Sequence, residues 1–137
     1  MVQPIGQFYS LVQACQFVAY QNGGGDFLAR VYRHDSYTAA QQSEITSITC
    51  KVFDLDSDTP TTAIITPAIT VSDVIFNSLQ TDARWTVDST GFNFRHELLA
   101  TAFPTGQHRY RVEYKITPTD GAAVFLVFDG FVKRTLS

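Results

Sequence analysis

RYRVEYKI, residues 109–116, alternates without exception: Tyr110, Val112, Tyr114 and Ile116 fall on one side, and Arg109, Arg111, Glu113 and Lys115 on the other. Side chains of an extended chain point to opposite faces with a period of two, so this stretch reads as a half-buried antiparallel strand. Thr119, Asp120 and Gly121 then supply a hairpin signal, and residues 122–132 form the returning strand. Here the pattern changes. Val124, Leu126 and Phe128 share one side, while Phe125, Val127 and Phe131 share the other, so both faces are apolar. Two explanations stay open: a central strand covered on both sides within the monomer, for instance by the N-terminal segment, or an outer side buried by another subunit. The second follows from the rarity of large contiguous apolar patches on monomers.

Working outward from this hairpin, further short strands are punctuated by turn residues. Residues 14–20 carry β-branched and aromatic side chains and end at Gln21, Asn22 and three glycines, which permit a reversal. Residues 27–32 alternate Phe27, Ala29 and Val31 against Leu28, Arg30 and Tyr32, and Arg30 marks the outward face. A polar loop is expected over 34–44. Ile48, Cys50 and Val52 share the inner side of the next strand, with Thr49 and Lys51 opposite. After an Asp, Thr and Pro-rich turn at 54–62, strands are expected at 63–65 and 70–76, with Pro67 marking an edge or a break. Trp85 and Val87 indicate another strand, Phe92 and Phe94 a further one, and residues 97–102 are rich enough in helix formers for a short helix.

The count of seven to nine short strands is the sequence form of an all-β fold: an antiparallel β-sandwich of the immunoglobulin or fibronectin III kind. The first residues, with Pro4, Gly6 and no clean period, read as an extended N-terminal arm (1–13), followed by a single domain over 14–137. A chain of 137 residues can bury roughly two thirds of its unfolded surface, so it needs no disulfide or metal to hold it. Its apolar runs are far shorter than the roughly 20 residues of a spanning helix, which argues against a membrane. The start of the chain lacks the basic, apolar and small-residue succession of a secretory signal. A net charge of −3 with scattered Lys and Arg argues against nucleic acid as a partner.

Motifs of chemistry fare poorly. Cys15 and Cys50 could bridge the sheets, but without an export signal two buried free thiols are the preferred reading. Trp85 follows both cysteines, so the Cys, Trp, Cys order of antibody domains is missing. Asp54, Asp56 and Asp58 resemble the opening of a calcium loop, but Thr59 stands where a glycine is needed and Ile65 where a glutamate is needed. His34, His96 and His108 are too separated for a zinc site and read as surface or rim residues. No serine sits in a nucleophile elbow, and a cysteine in an apolar strand is ordinarily core. The run Asn22 to Asp26 lacks the lysine of a phosphate loop and reads as a mobile hairpin tip. Trp85 and Phe92 could be core or contact, with core preferred. The expectation is a protein without catalytic, cofactor-binding or metal-binding residues.

The run LLATAFPTGQHRYRVEY (98–114) resembles the passage into the penultimate strand of fibronectin type III and related sandwiches, with its hydrophobic residue, Pro or Gly turn and Tyr-x-Val. That resemblance implies that the Tyr110 hydroxyl caps the corner while Val112 and Tyr114 enter the core. In size, in its arm, in Ile45 to Ile48 leading a strand, and in the closing Tyr-x-Val-x-Tyr hairpin, the chain also resembles small Ig-like virion proteins of tailed bacteriophages. This second resemblance implies a structural protein assembled in the host cytoplasm onto a virion: a head decoration or cement protein that binds the major capsid protein or another virion protein. It would act as a homo-oligomer, a trimer being one arrangement. Phe8, Tyr9, Leu11, Phe125, Val127 and Phe131 are the candidate partner-interface residues. The alternative is a recognition module of a tail or appendage, binding carbohydrate or host protein through loops 21–26 and 54–62.

Overall fold

The computed structural model describes residues 8–12, 16–33, 38–86 and 88–136, the side chains of 8–12, 16 and 33 excepted. The alternating octet lies in β7 (His108–Pro118), between β4 (Ile45–Asp54) and β8 (Val124–Lys133), antiparallel to both. Tyr110, Val112, Tyr114 and Ile116 are fully buried, and their charged alternates point away. A strand of this kind forms because burying each large apolar side chain is worth roughly 1.5–3 kcal/mol, gained on one face only. Ile48, Cys50 and Val52 of β4 and Leu126 and Phe128 of β8 line the same interior.

β2 (Gln16–Tyr20) extends this sheet by pairing with β8 in parallel, giving the order β2-β8-β7-β4. The facing sheet has the order β1-β3-β6-β5, built from Phe8–Val12, Gly25–Arg33, Phe92–Leu98 and Ile75–Gln80. Named by position in the chain, these orders match those of the ABED and CFG sheets in immunoglobulin-type sandwiches, with β2 added beside the last strand. The first strand is divided: β1 stays with β3, and β2 crosses to β8. The segment read as an arm therefore contributes Phe8–Val12 as a strand paired to β3, while residues 1–7 and 13 lie outside the described residues.

Phe27, Phe94, Phe103, Tyr110, Tyr114 and Phe128 fill the space between the sheets, mostly edge to face. The Tyr110 hydroxyl donates to the Thr105 carbonyl (3.0 Å) and accepts from the Thr105 N–H (2.9 Å), closing the corner before β7 as the resemblance implied. Cys50 is a buried free thiol; Cys15 lies outside the described residues, as does His34.

Several local expectations are corrected. Residues 71–74 form one helical turn (α1), and β5 starts only at Ile75. Val74 and Ile75 are both buried, which consecutive side chains of a strand cannot achieve on one face. Trp85 belongs to a loop, not a strand, and packs with Leu28 and Phe92 on the outer side of the β1-β3-β6-β5 sheet; Val87 is outside the described residues. The core reading of Trp85 and Phe92 thus holds, in a second small cluster. Arg30 does face outward from its sheet, yet is only 7% exposed because the same loop covers it. Its guanidinium grips Asp88 through two bonds of 3.0 and 2.9 Å and donates to the Gly91 carbonyl. Asp88 also accepts from the Trp85 indole and the Thr90 N–H, and these donors hold its carboxyl far below the usual range.

The helix expected at 97–102 shrinks to a single 3₁₀ turn at Ala100–Ala102, because Leu98 ends β6 opposite Gly25 with its side chain in the core. Residues 21–24 are not a hairpin tip. They carry the chain from one sheet to the other, with the Asn22 N–H bonded to the Phe103 carbonyl. Gly24 has φ +68°, and a Cβ there would fall 2.2 Å from the Leu98 carbonyl oxygen.

Candidate interaction surface

The two outer faces of the sandwich differ. The chain itself covers part of one of them, around Leu28, Arg30 and Phe92, with the loop that carries Trp85 and Asp88. The other, outside β2-β8-β7-β4, carries side chains of the opposite parity to the core. Register sets them in rows: Val18, Phe131 and Arg109 lie abreast; then Asp129, Arg111 and Phe53; then Val127, Glu113 and Lys51; then Phe125, Lys115 and Thr49. An apolar strip runs along β8 beside a charged ladder on β7.

Exposure makes the strip unusual. Val18 is 64% exposed, Tyr20 56%, Phe125 55% and Phe131 38%. Val127 is half-buried beneath its neighbours. At the Phe131 end lies a cleft of about 620 Å³, bordered by Val18, Leu55, Arg109, Arg111, Asp129 and Phe131. Arg111 donates to Asp129 (2.7 Å) across the strands. Arg109 binds Asp56 through both its guanidinium (2.8 Å) and its backbone N–H (2.7 Å), which brings the Asp56 carboxyl down to about 2. These pairs leave the charged ladder largely self-neutralised, so the apolar strip dominates what an approaching surface meets.

Of the six residues nominated as a partner interface, Phe125, Val127 and Phe131 come together on this face. Phe8, Tyr9 and Leu11 belong to β1, whose backbone lies in the other sheet; their side chains lie outside the described residues. Val18 and Tyr20 belong to the strip and were missed. Their parity against Phe17 and Ala19 was readable, but the parallel pairing that sets Val18 beside Phe131 was not.

Of the residues weighed for chemistry, Asp54, Asp56, Cys50, His96 and His108 are engaged within the chain. Asp54 receives His108 Nδ1 at 2.8 Å and the Asp56 N–H, and Asp56 receives Arg109, so two of the three carboxylates of the calcium-like run already hold partners. Among the described residues, no group of three or more His, Cys, Asp and Glu side chains is placed to hold a metal ion. Burial pushes the Cys50 thiol up to about 12, with a hydrogen bond to Tyr114 opposing it, so at neutral pH it is the inert thiol. His96, read as a surface or rim residue, is part-buried with Nδ1 2.8 Å from the Tyr114 hydroxyl; burial lowers its pKa and raises that of Tyr114.

No helix among the described residues is long and apolar enough to cross a membrane. No protein-family model, no curated protein and no solved structure matches the chain.

Proposed function

We propose that the protein is a non-enzymatic structural component of a virion, a head decoration or cement protein of a tailed bacteriophage, assembled in the host cytoplasm. It binds the lattice of the major capsid protein as a homo-oligomer, and its chemistry is burial. The observation that carries this reading is the asymmetry between the outer faces: the apolar side chains of one, Leu28 and Phe92, are covered by the chain's own loop, whereas the other leaves Val18, Phe125 and Phe131 exposed for a partner. Stable complexes bury about 1,600 Å² in total, with aromatic residues supplying most of the energy. The virion assignment itself is supported by the resemblance in size and organisation to small Ig-like phage proteins.

Phe131→Asp tests it, because the side chain lies outside the core and the domain should keep its melting temperature. Binding to heads assembled from the major capsid protein of the same virus should fall at least about tenfold, as for loss of a hot spot. A wild type that stays monomeric at high concentration, together with a variant that still binds heads, overturns the reading.

A second reading, a recognition module for carbohydrate or host protein, draws on the placement of loops 21–26 and 54–62 at one end of the sandwich. Gln21 donates to the Pro104 carbonyl and Asp56 accepts from Arg109, so both loops border the corner that precedes β7. Glycan-array binding that loop substitutions abolish, without affinity for heads, favours it over decoration.

A further inference from the structure

An open sheet edge offers unpaired N–H and C=O groups to any other strand, and natural proteins blunt such edges with charge, proline, bulges or cover. Two edges of this sandwich are managed in that way. On β5 the register against β6 breaks, and the Ile75 and Asn77 carbonyls accept from the side chains of Gln42 and Gln41. On β4, Val52 exchanges bonds with Ile64 and Ile65.

Among the described residues, the edge of β2 has none of these devices. Gln16, Phe17, Val18, Ala19 and Tyr20 include no charge and no proline, and the strand keeps unbroken register with β8. The Gln21 N–H donates to the Lys133 carbonyl, so Phe17 and Ala19, of the same parity, also turn their backbone toward β8. Val18 and Tyr20 therefore direct theirs away from the sheet. The Tyr20 carbonyl is taken by the Gly23 N–H, which leaves the Val18 N–H and C=O and the Tyr20 N–H without a partner among the described residues, on an edge with two well-exposed apolar side chains.

We propose that β2 pairs with β2 of a second copy of this chain, antiparallel about a two-fold axis through Val18. Each Val18 N–H then meets the Val18 carbonyl of the other copy, a reciprocal pair that only an isologous contact can form. The strand's lack of charge means that no like charges face one another across the axis. An unrelated strand could use the same backbone groups, but self-pairing needs nothing beyond this chain and closes at two copies. The two sheets merge into one of eight strands, with both β8 strips on the same outer face, so a bivalent surface gains effective concentration against a repeating lattice. The inference deepens the homo-oligomer part of the proposed function by naming the edge and the symmetry.

The test is a Val18→Cys variant in a Cys15→Ser background, mildly oxidised. Hydrogen-bonded antiparallel neighbours have Cα atoms about 5.5 Å apart, inside the disulfide range of about 4.4–6.8 Å. A disulfide-linked dimer should form efficiently, whereas Thr49→Cys in the same background, on exposed β4, should not cross-link. In light scattering the wild type should be a dimer, and Val18→Pro, which removes an outward N–H without touching the β8 ladder, should weaken dimerisation at least about tenfold. Circular dichroism verifies that the variant is folded, and Val18→Lys replaces it if it is not. A monomeric wild type, a trimer without the Val18→Cys cross-link, or a dimer indifferent to Val18→Pro and Val18→Lys overturns the inference. Head binding separates the two readings: if Val18→Cys cross-links but the wild type does not bind heads, only the virion reading is refuted, and if heads bind without any cross-link, only the edge is refuted.

Discussion

His96, Tyr114 and Cys50 link strands of both sheets through one buried polar chain: β6 contributes the imidazole, β7 the phenol and β4 the thiol. Burial disfavours the imidazolium and holds His96 below its ordinary value of 6.5, so between those two values the unfolded chain binds the proton more readily. The stability tied to this group is complete above about pH 6.5 and declines as the solution is acidified through the window below it. The melting temperature of the wild type should therefore drop more than that of His96→Phe between about pH 7.5 and about pH 5.5. Parallel calorimetric scans check this, and equal drops would remove His96 from the account. At this scale sequence was a partial guide. Tyr110 announced itself through its corner motif, whereas the partner of His96 lies on another strand, and no local spacing reveals a contact across the sandwich.

Strands were legible where one face is wet and the other dry. β4 and β7 alternate cleanly and came out with the right residues inside. β3 also has Arg30 on its outer face as its alternation indicates, but the distant loop that supplies Asp88 and Trp85 as its cover leaves no mark in the local pattern. The glycine in β8 was passed over, although it decides how β2 packs. A Cβ on Gly130 would sit 2.4 Å from the ring and carbonyl of Phe17, so only glycine lets the two strands lie this close. Gly130→Ala should cost roughly 1–3 kcal/mol, the usual penalty of overpacking, and should loosen β2 first. Hydrogen exchange would report it as faster exchange of the Phe17 and Ala19 amides with β4 and β7 unaffected; uniform behaviour across the sheet would contradict this packing.

For the whole molecule, the all-β sandwich could be read from periodicity, but the partition of strands between sheets could not. The link between β2 and β3 has every mark of a hairpin, and only the packing of Phe17 against Phe27 and Phe103 shows that the chain changes layers there. The same limit hid half of the interaction strip, since Val18 joins Phe131 through a parallel pairing of residues far apart in the chain. The account rests on that strip being a face that another surface covers. Hydroxyl-radical footprinting of the free protein and of the protein bound to heads tests it most directly, because Leu99 and Leu136 are apolar residues outside the strip, more exposed than its members, and serve as internal controls. Binding should protect Val18, Phe125 and Phe131 and leave Leu99 and Leu136 as reactive as before. Protection of the two leucines with the strip still reactive would contradict the account.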